Sequence, residues 1–315
     1  MIGFLVRKEE LKTSKRVYIK TVEGEEIKFL INVENFDSIV VNQPVKYETD
    51  GDWKGIPIIK SLAYKFDSKE DMENAELILK MYGPKEVPKL KEVMEDIVEF
   101  INSTNDPSNV GGGPRNITFD DFKNALKNYL TDETVIEEGG KPVFIKKDRI
   151  KDFITCPAST HHHDSQEGGL LRHIAKMTSL CINMFKVKYQ EYEVHPFNLM
   201  MGVFLHDVGK IDQYSKDQGE YKYVEDSFYK GNHIGLGLNR WAIKGRQFLI
   251  DLKVKPVDIE KIYWDIWHMI GSHHGSVENR MGSAWSPFGH DAWTLHSIDL
   301  LESRQEEDIK PIRTE

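Results

Sequence analysis

The sequence predicts an α+β protein of more than one domain, with a small N-terminal β-barrel followed by an all-α helical bundle. Three observations carry this. Short β-branched and aromatic runs, broken by turn residues, fill residues 1–65. Apolar residues at helical spacing dominate after them. All 12 histidines fall between positions 161 and 296, a confinement that random placement would not give and that marks the second half as the part carrying chemistry.

The runs 17–22, 27–33 and 38–41 read as strands, with breaks at 23–25 and 49–52, and residues 55–62 read as a last strand. Several short strands in succession suggest a small barrel of the OB type, a fold that often binds single-stranded nucleic acid. A structural or oligomerisation role for this domain is an equal reading of the same residues. Arg7, Lys8, Lys12, Lys15, Arg16 and Lys20 make this end locally basic, which is most often a solvated face. Residues 66–144 read as a helical linker region, with apolar positions at helical spacing over 75–82 and 90–101. Residues 102–116 form a turn-rich loop, Thr118 caps the next helix, and Gly139 and Gly140 close the region. The triple glycine at 111–113 lacks a following Lys-Ser/Thr and a clear strand before it, so it reads as a linker rather than a phosphate loop. The bundle then occupies 145–315.

Composition sets limits. With 315 residues, 39% of them hydrophobic and 30% charged, the chain fits a soluble globular protein of two domains. It has no run of 18 or more apolar residues and no charge–apolar–cleavage order at its start, which predicts a cytoplasmic protein with no membrane span. A formal net charge of −9 argues against a nucleic-acid coat over the whole surface but leaves room for a local track, and it suits a site for divalent cations. Cys156 and Cys181, the only cysteines, read most simply as two free thiols, with one disulfide as the alternative. The composition is compatible with a homo-oligomer.

The candidate site grows from His206-Asp207-Val208-Gly209-Lys210, where an apolar helix ends in an imidazole beside a carboxylate. Both groups are costly to bury without partners. Leu170, His173, Ile174, Met177, Cys181 and Met184 share one helix face, so His173 points inward. His233 opens a further helix, His273 and His274 end another along the stripe Ile259, Ile262, Ile266 and Ile270, and Asp299 sits among apolar neighbours. Facing side chains of this kind build metal sites in bundle cores. Imidazoles with carboxylates suit Mn²⁺, Fe²⁺, Zn²⁺ or Co²⁺ better than Mg²⁺. A carboxylate such as Asp207 can bridge two ions, and an ion pair activates water and stabilises the leaving oxygen of a phosphoester. Lys210, just beyond, is placed to hold a phosphate; a surface charge after a turn is the plainer reading.

The residues His173, His206-Asp207 and Asp299 resemble the HD superfamily of metal-dependent phosphohydrolases. The segments 156–173, 204–211, 270–275 and 295–302 resemble the YhaM-type 3′→5′ exoribonucleases within it, which pair an OB-like domain with an HD domain. The resemblance covers roughly 150–304 well and the N-terminal half loosely. It implies one ion on His173, His206, Asp207 and Asp299, a second on His233, His273 and His274 with Asp207 as the bridge, and Lys210 on a substrate phosphate. It also implies Asp207 and Lys210 as the catalytic pair, Mn²⁺ as the leading ion, and single-stranded RNA or DNA as the partner. The chain departs from the family in the polar stretch 164–167 and in its short barrel, and it has no Gly-Tyr-Pro after Asp299.

His163, of the run 161–163, and Trp285 are further substrate-contact candidates; a solvated loop and ordinary packing are their alternatives. Tyr221 and Tyr223 read as loop residues able to stack on bases, with simple loop packing the commoner role of such aromatics. His296 reads as a residue that could orient Asp299, and His195 and His268 as structural or exposed. The expected function is metal-dependent phosphodiester hydrolysis on single-stranded nucleic acid, as a 3′→5′ exoribonuclease. Two alternatives are an HD phosphohydrolase of nucleotides or another small phosphoester, and a non-enzymatic OB-type nucleic-acid-binding protein.

Overall fold

The structure is a computed structural model that describes residues 1–11, 14–32, 36–83, 86–104, 113–114, 116–139, 141–159, 164–186, 194–217, 220–277 and 282–304. It divides into two compact units, Met1–Lys85 and Glu86–Glu315.

In the first unit, β1 (Ile2–Leu11), β2 (Ser14–Lys20), β3 (Glu26–Ile31), β4 (Gln43–Trp53) and β5 (Ile56–Ala63) close into an OB-like barrel of order β1-β2-β3-β5-β4. Alternation sets the inner face: Leu5, Val17, Ile19, Phe29, Ile31, Val45, Tyr47 and Ile59 are buried together. Gly3 lets strands approach, since a Cβ there would lie 2.3 Å from Ile19 Cγ2. Two strands depart from the expectation. Residues 38–41 are not a strand: Phe36–Ser38 forms a 3₁₀ turn, and Asn42 at φ 63° redirects the chain into β4. Neither β1 nor β4 was expected as a strand. Helix α1 (Lys69–Tyr82), capped by the Ser68 hydroxyl on the Asp71 amide, is fixed to β4 by the Lys46–Asp71 ion pair.

The second unit is mainly helical. It contains α2 (Leu90–Thr104), α3 (Phe119–Tyr129), the hairpin β6 (Thr131–Glu138) and β7 (Lys141–Asp148), α4 (Ile150–Thr155) and α5 (Gly169–Lys186). It continues with α6 (Pro196–Leu205), α7 (Lys210–Gln213), the hairpin β8 (Tyr214–Asp217) and β9 (Glu220–Tyr223), α8 (Asn232–Asp251), α9 (Pro256–Ser272) and α10 (His290–Arg304). The stretch 66–144 is thus shared between the units, with α1 in the first and α2 and α3 in the second, and its last part is strand rather than helix. Thr118 does cap α3, in a reciprocal capping box with Asp121. One apolar cluster runs through the second unit, from Phe122 and Phe153 to Phe204, Trp241, Ile266 and Leu295.

Arg149 and Arg240 tie this unit to its chemistry. Both guanidinium groups reach Asp132 at the base of the β6–β7 hairpin and Asp212 on α7. The turn that carries His206 and Asp207 is thereby held from outside as well as from the core. Cys156 and Cys181 are free and buried. Among the described residues, no helix is long and apolar enough to cross a membrane.

Candidate metal centre

His173, His206, Asp207, His233, His273, His274 and Asp299 come from five helices or their ends, and the fold brings them together. His173 lies on the buried stripe of α5. His206 terminates α6, a helix buried along its length, and Asp207 follows in the turn before α7. His233 stands in the first turn of α8, His273 and His274 just beyond α9, and Asp299 on α10.

Gly209 makes the turn possible. Its φ is −63°, so its backbone needs no glycine, but a Cβ there would sit 1.9 Å from the His233 carbonyl oxygen and 2.6 Å from the Gly237 amide. The missing side chain lets α8 press directly onto the His206-Asp207 turn.

Asp207 divides the cluster. Its Oδ2 lies 3.8 Å from His173 Nε2 and 3.3 Å from His206 Nε2. Its Oδ1 lies 3.4 Å from His233 Nε2 and 3.6 Å from His273 Nε2. Asp299 Oδ1 is 3.3 Å from His173 Nε2, and the two Nε2 atoms of His173 and His206 are 3.3 Å apart. Groups of ligand atoms from His173, His206 and Asp207, from His206, His273 and Asp299, and from His233, His273 and His274 each lie within 4.8 Å of one another.

The outer ring nitrogens explain how the inner ones are aimed. His206 Nδ1 donates to the Val203 carbonyl at 2.9 Å, His273 Nδ1 to the Ile270 carbonyl at 2.8 Å, and His233 Nδ1 to Gln213 Oε1 at 3.0 Å. These oxygens only accept, so the proton sits on Nδ1 and each Nε2 presents a lone pair to the cluster. His173 Nδ1 bonds the Glu302 carboxylate. Asp207 Oδ1, His233 Nε2 and His273 Nε2 are buried without a hydrogen-bond partner. Buried polar atoms are nearly always satisfied. Three orphans that converge, all of them electron-pair donors, fit a cation at their centre.

The electrostatics of Asp207 and His233 agree, whereas His173 is held toward its charged form. Burial would raise the Asp207 carboxyl, but the Lys210 ammonium and His206 hold it well below the usual range. Burial, with neighbouring cationic groups, pushes His233 well below its ordinary value, so it is the neutral imidazole that a metal requires. Burial opposes charge on His173, but hydrogen bonds to Asp299 and Glu302 outweigh it and raise this ring to about 10. Asp299 is held low by His173 and His206 against the opposing effect of burial.

Lys210 is not the solvated charge that its position after a turn suggests. It is buried, with Nζ 2.5 Å from Asp207 Oδ2. His163 lies outside the described residues. Trp285 is half-buried in packing: it stacks on Trp267 and His268, donates to the His268 carbonyl at 3.1 Å, and fills the space over Gly271, where a Cβ would meet it at 2.1 Å. Tyr221 and Tyr223 belong to β9 rather than to a loop, and the Tyr221 hydroxyl donates to the Thr155 carbonyl. His296 turns to the carbonyl of His273, at 2.7 Å. His195 precedes α6 and bonds Asp291 at 3.0 Å, and His268 accepts from the Phe288 amide.

Sequence reasoning missed Glu302, Gln213 and Asp164, all buried. One signal was available: Glu302 follows Asp299 by three residues and so shares its helix face.

Along the chain, an OB-like barrel precedes a helical unit in which histidines and aspartates converge. Among known proteins, the chain is similar to 3′-5′ exoribonucleases named YhaM. It is 30% identical over 166 residues to the 3′-5′ exoribonuclease YhaM of Oceanobacillus iheyensis, covering 51% of this chain and 46% of that protein. To the YhaM of Bacillus subtilis it is 26% identical over 202 residues, 60% of this chain and 59% of that one. To that of Bacillus licheniformis it is 30% identical over 155 residues, 49% and 44%. The chain spans about half the length of the curated relatives it matches. No family model matches it, and no solved structure does.

Proposed function

We propose that this protein is a metal-dependent phosphodiesterase acting on single-stranded nucleic acid in the cytoplasm, a 3′→5′ exoribonuclease with Mn²⁺ as its preferred ion. The observation that carries the reading is the division of Asp207, one oxygen toward His173 and His206 and the other toward His233 and His273, with three donor atoms left unpaired. His173, His206, Asp207 and Asp299 would hold one ion, and His233, His273 and His274 the other, with Asp207 shared. When bound, the ions lower the pKa of water and offset the charge that builds on the phosphate.

The protein groups do the rest. The Nδ1 acceptors fix each imidazole so that its lone pair needs no reorientation. Lys210, held by Asp207, places an ammonium where a non-bridging phosphate oxygen can take a second contact. The OB-like barrel supplies the surface class that guides a single strand. The similarity to exoribonucleases named YhaM supports RNA as the substrate.

The test is digestion of end-labelled single-stranded RNA and DNA with Mn²⁺, Mg²⁺ or EDTA, beside Asp207→Asn. The reading expects 5′-labelled RNA to shorten progressively with Mn²⁺, no reaction in EDTA, and background activity from the variant. Hydrolysis of free nucleotides with none of oligonucleotides would overturn the nucleic-acid reading, and full activity in Asp207→Asn would overturn the site.

A further inference from the structure

One helix grips both nitrogens of one histidine. On α10, Asp299 Oδ1 faces His173 Nε2 at 3.3 Å, and Glu302, three residues on, bonds His173 Nδ1. Glu302 is fully buried, and its second oxygen is taken by Lys176 Nζ at 2.6 Å. Lys176 continues to Asp164 Oδ2 at 3.1 Å, and Arg172 holds the other oxygen of Asp164. Asp164 is buried too, at φ 48°, and its carbonyl accepts from the Ala158 amide. A partly buried chain of alternating charge therefore runs from the turn before α5, along the first turns of α5, into α10, and ends on the imidazole.

None of these groups is needed to satisfy the cluster's unpaired atoms, which lie on the other side of Asp207. Burying them is expensive unless the geometry is well made. The outer nitrogens of His206, His273 and His233 meet neutral acceptors, two backbone carbonyls and one amide. That of His173 meets a carboxylate instead, which makes its imidazole a stronger donor to a cation.

We infer that Glu302, pinned by Lys176, is a positioning residue that aims His173 Nε2 and raises the divalent-ion affinity of the half-site His173, His206, Asp207 and Asp299, leaving the half-site His233, His273 and His274 untouched. The inference rests on the two-ion reading above. It assigns the unequal surroundings of the histidines a consequence: the two ions bind with unequal strength, the tighter on the His173 side.

The test is a Mn²⁺ titration of the full chain, freed of ions, by calorimetry and by the loss of the free-ion resonance signal, for the wild type, Glu302→Gln and Glu302→Leu. Melting temperatures are measured without ions. Removing such a carboxylate partner lowers metal affinity by about 10–100-fold. The expected result is two wild-type binding events, with the tighter one weakened by that factor in Glu302→Gln and further in Glu302→Leu, and the weaker one unchanged. The glutamine can still accept from Nδ1 and rescues part of the affinity, whereas leucine cannot.

An affinity loss that follows the melting temperatures would make Glu302 merely structural and overturn the inference, as would equal weakening of both events. Unchanged binding in both variants would overturn it as well. A wild type that binds no ion overturns the metal-centre reading and this inference with it, while two wild-type events insensitive to Glu302 overturn this inference alone.

Discussion

Replacing Gly209 with alanine tests whether the close approach of α8 builds half of the centre. The new Cβ would lie 1.9 Å from the His233 carbonyl oxygen and 2.8 Å from its carbon. Ordinary carbon contacts are about 3.5 Å, so backbone must move by roughly 1.5 Å. Gly209 has an ordinary helical φ, so the backbone of the new residue is unstrained and the cost is steric alone. Overpacking of this kind costs about 1–3 kcal/mol, or about 2–12 °C in Tm for a unit of this size. The displaced segment carries His233, whose Nδ1 is held by Gln213 on α7. Separating α7 from α8 therefore breaks that hydrogen bond and turns one donor away from Asp207. Scanning calorimetry and Mn²⁺ titration read the two effects. Expected is a lower Tm together with weakened binding at the His233 side only. A Gly209→Ala protein with wild-type Tm and two wild-type binding events would refute the reasoning.

Other outcomes follow from the same geometry. The hydrogen bond to Asp291, chiefly, raises the His195 pKa, so this pair stabilises the fold below the unfolded value of 6.5 and the contribution is lost as pH rises through the folded value. The Tm difference between wild type and Asp291→Asn should be largest below 6.5 and shrink as pH rises through the folded value, and a constant difference would count against it. Asp132 behaves oppositely. Burial alone would raise its carboxyl, but Arg240 and Arg149 hold it down, so its contribution is present above 3.8 and lost as pH falls through the folded value. Asp132→Asn should flatten the acid limb of stability, and an unchanged acid limb would sink the claim. Phe144, 72% exposed on the β6–β7 hairpin, should tolerate Phe144→Ser with a Tm change within about 0.5 kcal/mol in stability terms, checked by calorimetry.

The residues that converge in the cluster were legible in the sequence because their chemistry is wrong for where they sit. An imidazole on the stripe of Leu170, Ile174, Met177 and Cys181 announces itself, as does a histidine–aspartate pair ending an apolar helix. The partners were not legible. Gln213 and Glu302 look like ordinary helix polar residues until α8 and α5 arrive beside them. In the barrel, β1 and β4 escaped notice because Arg7, Lys8 and Glu9, and Glu48, Asp50 and Asp52, hide their short buried stretches behind charge. The β6–β7 hairpin escaped for another reason. It is exposed along most of its length, so no burial pattern marks its residues as strand.

Among the described residues, the two apolar clusters have no buried residue in common. Heat or denaturant should therefore melt the protein in two transitions rather than one. A lesion in the histidine-bearing unit would then leave the barrel folded, so damage to one unit can be inherited without damage to the other.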